Sequence, residues 1–100
     1  MNYRGYYTYN GEKFHVEFLV KTWTDSTFYA EGEDKTGKYS IDGKFGKSGM
    51  LTGTKRYVGQ HSIKMFGRVE LVKGLLEKMN GVWELEESST GDFEYFRFSK

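Results

Sequence analysis

The side chains best suited to bind a ligand are concentrated in one short segment, from Lys55 to His61. Lys55, Arg56 and Tyr57 supply two cations and a phenol, and a Gly-Gln turn then leads to one of the two histidines in the chain. Such donors suit an anionic or hydrogen-bonding ligand, because charge-assisted hydrogen bonds are stronger than neutral ones. The segment predicts a ligand site. The alternative is a polar turn with solvated cations, in which Tyr57 packs and His61 caps the turn.

Side-chain direction separates the members of this segment. Successive side chains of a strand point to opposite faces, so at most one of Lys55 and Arg56 can enter the interior. Lys55, Tyr57 and His61 share the parity of the apolar residues around them, which predicts that they point inward. Because burial penalises a charged amine, we expect Lys55 near one end of the fold, with its ammonium beside Tyr57 and His61. On this reasoning Lys55→Met should stabilise the empty protein.

Three residues outside this segment are weaker candidates for ligand contacts from the interior or its rim: Trp23, Trp83 and Arg97. Catalysis has less support, since no serine has a nucleophile-elbow context and alternating glutamates such as Glu31 and Glu33 are typical of a solvated face. Two histidines and no cysteine provide no recognisable metal-binding pattern. We therefore predict a protein that is not an enzyme, with no cofactor and no metal.

The elements that must position these residues are short β-strands. Apolar and polar residues alternate with period two in about eight segments, most clearly from Phe14 to Val20, and turn residues separate the segments. Residues 71–80 are ambiguous, because glycines bracket an apolar stretch too closely for a stable helix. We interpret them as a loop, with at most one helical turn, before a strand at 82–87.

About eight strands with short connections predict an all-β fold, namely a small closed up-and-down antiparallel barrel. Closure removes the unpaired edges that an open sheet would expose. The chain is then one domain, residues 1–100. A two-sheet β-sandwich is the alternative, and a five-stranded oligonucleotide-binding barrel fits less well because the strands are too many.

Glycines inside the predicted strands bear on whether the interior is filled or hollow. Five of them share the apolar face: Gly32, Gly43, Gly53, Gly67 and Gly81. They indicate either sharp coiling with aromatic side chains covering the gaps, or a cavity for one small ligand. We favour the first, with a partial cavity near one mouth.

Aromatic side chains also occur on the polar faces of the strands. Phe66, Phe96 and Phe98 could form an exposed apolar patch of the kind found at interfaces. The alternative function is therefore a protein–protein interaction domain, with a homo-oligomer formed through these rings. A second explanation is that the rings only pair across strands.

Composition narrows the classes of partner. The 15 basic and 14 acidic residues are interspersed, so a nucleic-acid polymer is not expected. The longest apolar runs are too short to span a bilayer, and the first residues do not resemble a signal peptide. The lack of cysteine fits a reducing compartment. We expect a soluble, cytoplasmic protein without a membrane partner.

Several short motifs resemble patterns of the avidin- and lipocalin-like barrels, the calycin type. They lie between residues 30 and 95: Gly32 to Gly43, Lys55-x-Tyr57-x-Gly59-x-His61, and Gly81-x-Trp83 followed by Gly91-x-Phe93. The resemblance implies a ligand-binding up-and-down barrel. Biotin binding is not implied, because avidins carry Gly-x-Trp on the first strand. Small barrels of this type also sense cyclic oligonucleotides in bacterial antiphage effectors, which implies a nucleotide-type signal.

These patterns together predict a non-catalytic binding barrel. Its expected ligand is one small molecule, partly anionic or aromatic.

Overall fold

Eight strands account for most of the computed structural model, which describes residues 1–86 and 89–99. The strands are β1 (Asn2–Tyr9), β2 (Glu12–Trp23), β3 (Thr27–Asp34), β4 (Gly37–Phe45), β5 (Met50–Tyr57), β6 (Ser62–Val72), β7 (Leu75–Leu85) and β8 (Ser89–Phe98). Each strand pairs with the next in antiparallel fashion, and β8 closes the sheet against β1. The predicted closed up-and-down barrel is confirmed. Within the described residues, no helix is long and apolar enough to cross a membrane.

The meander divides the connections between the two ends of the barrel. The connections β1–β2, β3–β4, β5–β6 and β7–β8 lie at one end, which we call the upper end. The other three connections lie at the lower end, where Asn2 pairs with Phe98. Lys55 and Tyr57 are among the last three residues of β5, just before its upper connection, so the topology places both near the upper end.

Residues 71–80 are a correction to the sequence interpretation. β6 continues to Val72 and β7 begins at Leu75, so only Lys73 and Gly74 form the connection. Both have positive φ, 53° and 79°, as a two-residue type I′ hairpin requires. The loop prediction was wrong because lysine is an unusual residue for this turn, and a register shift between Glu70 and Leu71 interrupts the alternation.

The strand predicted at 82–87 is likewise only the end of a longer strand, β7. Its predicted last residue, Glu87, lies outside the described residues. The inward side chains of the barrel form one core, in which Tyr3, Ala30 and Met79 are fully buried. The predicted inward direction of the β2 residues Val16, Phe18 and Val20 is confirmed.

The in-strand glycines mostly serve the close packing of a narrow barrel. The ring of Phe28 covers Gly43, its partner on the neighbouring strand, and leaves no room there for a Cβ atom. Gly67 and Gly81 stand opposite each other in β6 and β7, where a Cβ on Gly67 would overlap the carbonyl oxygen of Asn80. These glycines permit sharp coiling, and they do not open a void at their own positions.

Candidate ligand-binding site

A cavity of about 240 Å³ lies inside the upper end of the barrel, and we call it the upper cavity. Its wall is mostly aromatic, with rings contributed by Tyr7, Tyr9, Tyr57, Trp83, Phe93 and Tyr95. Lys55 is the one cationic lysine or arginine among the lining residues, and His61 and Thr36 lie in the connections at its rim. The arrangement is a cup of apolar rings with one ammonium group in its wall.

Lys55 occupies an unusual position for a lysine. Among the described residues it is the one charged residue that is buried as a whole, with 4% of its surface exposed. Its Nζ lies 3.5 Å from Oδ2 of Asp34, whose side chain is almost equally buried. Burying a charged group costs on the order of several kcal/mol, and attraction to a nearby counter-ion offsets part of that cost. Asp34 is that counter-ion.

Three tyrosine rings complete the surroundings of the ammonium. Nζ lies 4.2 Å from the ring centroid of Tyr39, 4.8 Å from that of Tyr7 and 4.9 Å from that of Tyr57. These rings come from β4, β1 and β5, and we call them the tyrosine cage. The negative faces of aromatic rings attract a cation within about 6 Å, most strongly where water is excluded.

Asp34 is held in place by two further hydrogen bonds. The hydroxyl group of Tyr57 donates to Oδ2 at 2.7 Å, and the backbone N–H of Thr36 donates to Oδ1 at 2.9 Å. The sequence interpretation missed Asp34 because it adjoins the turn residues Lys35 and Thr36. Its parity with Ala30 was the available signal, since alternate residues of β3 point inward.

Burial changes the acid–base properties of this cluster. It lowers the pKa of Lys55 to about 8, although the Asp34 carboxylate acts in the opposite direction. Burial and the hydrogen bond to Asp34 raise the pKa of Tyr57 well above its ordinary value. Burial also raises the pKa of Tyr39 and, to a smaller extent, that of Tyr7. At neutral pH Lys55 is therefore mostly an ammonium group surrounded by neutral phenols.

The structure brings together four of the seven predicted site residues. Lys55, Tyr57, His61 and Trp83 all line the upper cavity. The His61 ring is exposed at the rim, with its centroid 5.2 Å from that of Tyr57. The indole N–H of Trp83 donates to the carbonyl oxygen of Thr8 at 2.9 Å, which fixes the indole in the wall.

The other three predicted residues lie elsewhere. Arg56 points outward and donates to Oδ2 of Asp42 at 2.8 Å, so it is separated from Lys55 by the sheet. Trp23 is half exposed beside a smaller hollow of about 100 Å³ at the lower end. Arg97 pairs with Glu77, and their side chains are about 30% exposed. Its parity is inward, but it lies toward the lower end of β8 and does not line the upper cavity.

The outward phenylalanines do not form one continuous row. Strand β7 separates Phe66, on β6, from Phe96 and Phe98 on β8. The ammonium group of Lys78 lies 5.2 Å from the ring centroid of Phe96. The guanidinium group of Arg4 lies 4.6 Å from that of Phe98. Cationic side chains thus cover part of two of the three rings.

Comparisons of the chain with protein-family models, curated proteins and solved structures found no match. The geometry of the upper cavity is therefore the main indication of function.

Proposed function

We propose that the barrel binds one small aromatic ligand in the upper cavity, with an anionic or hydrogen-bond-accepting group directed at Lys55. One observation carries this proposal: a buried lysine forms part of the wall of a cavity otherwise lined mainly by rings. Ligand sites commonly combine an apolar lining with a few polar groups that fix orientation. This is ligand binding of the kind associated with lipocalin- and avidin-like barrels.

The size of the upper cavity favours a ligand of one or two rings. An apolar cavity of roughly 150 Å³ is known to hold benzene. The upper cavity, at about 240 Å³, has room for a substituted ring. It is smaller than the roughly 300–1,000 Å³ of pockets for drug-sized ligands, so a nucleotide would extend through the mouth.

The hydrogen-bonding capacity of Lys55 favours a ligand with an acceptor group. An ammonium group has three N–H donors, and aromatic faces do not replace an oxygen acceptor. Its contact with Asp34, at 3.5 Å, is longer than the roughly 2.7–2.9 Å of a strong charge-assisted hydrogen bond. A ligand carbonyl, carboxylate or phosphate oxygen would supply the closer acceptor.

We also propose a cytoplasmic location, because the chain has no cysteine and so gains nothing from an oxidising compartment. Self-association through Phe66, Phe96 and Phe98 stays a prediction from the sequence. Strand β7 separates Phe66 from the other two rings. Lys78 covers part of Phe96, and Arg4 covers part of Phe98.

Tryptophan fluorescence offers a direct test of ligand binding. The chain has two tryptophans, so Trp23→Phe leaves Trp83, in the cavity wall, as the single reporter. We expect 4-hydroxybenzoate or adenosine monophosphate to change the Trp83 emission and to raise the melting temperature. In the double variant Lys55→Met/Asp34→Asn, the dissociation constant should rise about tenfold or more, because a charge-assisted hydrogen bond contributes roughly 1.5–3 kcal/mol.

The outward ion pair provides the matched control. Arg56→Met/Asp42→Asn removes one positive and one negative charge from the outer faces of β5 and β4. This variant should leave binding unchanged. The proposal is wrong if neither probe alters the emission or the melting temperature. It is also wrong if Lys55→Met/Asp34→Asn binds both probes as tightly as the parent protein does.

A further inference from the structure

Lys55 differs from the other described lysines in a way that bears on covalent chemistry. The others are exposed or only partly buried, whereas Lys55 is buried in the wall of a mostly aromatic cavity. A molecule that enters this cavity meets the amine with few competing water molecules. Lysine amines so placed are suited to form Schiff bases with carbonyl compounds, because desolvation favours the neutral, nucleophilic form.

The surroundings of the amine also suit the product of such a reaction. A protonated imine carries the same single positive charge, at the same nitrogen, as the ammonium group it replaces. The carboxylate of Asp34 and the three faces of the tyrosine cage therefore stabilise both. The site needs no rearrangement of charge to hold the adduct.

We propose that Lys55 captures small aromatic aldehydes as a reversible imine, with the aldehyde ring held in the upper cavity. This inference rests on the proposed function, since the aldehyde must enter the same cavity. It adds a covalent bond and a specific chemical class of ligand.

The atoms of the step balance without an oxidant or a reductant. Nζ, after losing one proton to solvent, forms a bond to the aldehyde carbon, and one of its two remaining protons moves to the carbonyl oxygen to give a carbinolamine. A proton from solvent then converts the hydroxyl group to water, which leaves as the C=N bond forms. The nitrogen of the product is protonated and faces Asp34, and addition of water reverses the sequence.

The lowered pKa of Lys55 supports the same reaction. The titratable groups facing its amine are Asp34 on β3 and the phenols of the tyrosine cage on β1, β4 and β5, and His61 lines the same cavity at its rim. The pKa of Lys55 is about 8, against 10.5 for an ordinary lysine. At pH 7 its neutral fraction is therefore roughly two orders of magnitude larger than that of an exposed lysine.

Reductive trapping of the imine tests the proposal. The protein is incubated at pH 7 with 4-hydroxybenzaldehyde and sodium cyanoborohydride, and the modified lysines are located by peptide mass spectrometry. We expect Lys55 to be labelled about tenfold or more faster than the exposed Lys44 and Lys64, which serve as controls within the same molecule. Its labelling rate should increase most steeply below pH 8.

A conservative variant and a non-covalent probe separate the possible outcomes. Asp34→Asn keeps an acceptor for the Thr36 N–H but removes the counter-ion, so the steady-state fraction of trappable imine should fall several-fold. Binding of 4-hydroxybenzoate is measured in parallel by Trp83 emission. If it binds while Lys55 is labelled no faster than Lys44, the covalent inference fails and the proposed function stands. If it does not bind and Lys55 is not labelled preferentially, both fail.

Discussion

Lys55 and Arg56 are neighbours in β5, and each pairs with an aspartate, yet the two ion pairs differ in almost every physical respect. The side chains of Lys55 and Asp34 are 5% and 7% exposed, whereas those of Arg56 and Asp42 are 54% and 56% exposed. The outer pair has the shorter contact, 2.8 Å against 3.5 Å. Distance alone would rank the outer pair as the stronger.

The loss of stability on breaking each pair follows the opposite order, because the two environments differ. Water and dissolved ions screen the outer charges, so an exposed pair contributes about 0–1 kcal/mol. Inside the barrel, either charge left alone has no solvent to compensate it. The difference follows from the alternation of a single strand, since a shift of one residue exchanges the two environments.

Breaking the inner pair should have the largest effect. Asp34→Asn leaves the Lys55 ammonium group buried without a counter-ion and weakens the hydrogen bond from Tyr57, so we expect the free energy of unfolding at pH 7 to fall by about 3–5 kcal/mol. The double variant Lys55→Met/Asp34→Asn should recover most of this loss. Urea unfolding measures both values. The single variant Lys55→Met removes a buried ammonium group that disfavours the folded state at pH 7, so we expect it to stabilise the protein, as the sequence predicts.

The outer pair calibrates this experiment. Arg56→Met should change the free energy of unfolding by less than about 1 kcal/mol, and the change should shrink further in high salt. Equal losses of stability for the two pairs would mean that Lys55 and Asp34 are hydrated in solution and that burial does not distinguish the pairs.

The pH dependence of stability comes next in size. Between pH 8 and 10.5 the amine of Lys55 is protonated in the unfolded chain but largely neutral in the folded one. The unfolded state then binds more protons, so the free energy of unfolding rises with pH, by about 3 kcal/mol from this group alone. The destabilising contribution is fully present below pH 8. Urea unfolding at pH 7, 9 and 10 measures the rise, which Lys55→Met/Asp34→Asn should abolish.

Above pH 10 the sign reverses. Burial raises the pKa of Tyr3 to about 12, and it raises the pKa values of Tyr57 and Tyr95 as well. These phenols lose their protons more readily in the unfolded chain, so alkali favours unfolding. A stability that already declines between pH 8 and 10 would contradict the burial of Lys55.

Two members of the tyrosine cage should give smaller effects of opposite sign. Among the described residues, the hydroxyl oxygen of Tyr39 is the one buried side-chain polar atom without a protein hydrogen-bond partner. Tyr39→Phe should therefore stabilise the protein by about 1 kcal/mol. Tyr57→Phe removes the hydrogen bond to Asp34 and should destabilise it by about 2 kcal/mol. Thermal denaturation of the two variants, which lose the same atom, compares them. Two losses of equal size would show that the Tyr39 hydroxyl has a partner after all.

Much of the fold could be predicted because alternation and turn residues report local geometry. The inward direction of Lys55 and Tyr57 followed from the parity of their strand, and the structure agrees. The β6–β7 hairpin could not be read in the same way, because a register shift breaks the alternation just before Lys73.

The site itself was less accessible to sequence reasoning. Parity shows which face a side chain occupies but not its height along the barrel, so Trp23 and Arg97 could not be separated from the residues of the upper cavity. Asp34 follows the inward parity of β3 and was overlooked because strand and turn overlap there. The cavity depends on how rings from four strands fill a common space, which no single strand encodes.

The pairing of β1 with β8 means that the barrel has no topologically privileged starting strand. Asn2 lies opposite Phe98 in this ladder, so a short linker could join the two ends at the lower rim. A circular permutant reopened between β4 and β5, near Lys47, would keep all eight ladders and both new ends at that rim. The mouth would stay unobstructed, and the order of the strands along the chain could change while the cup remained the same.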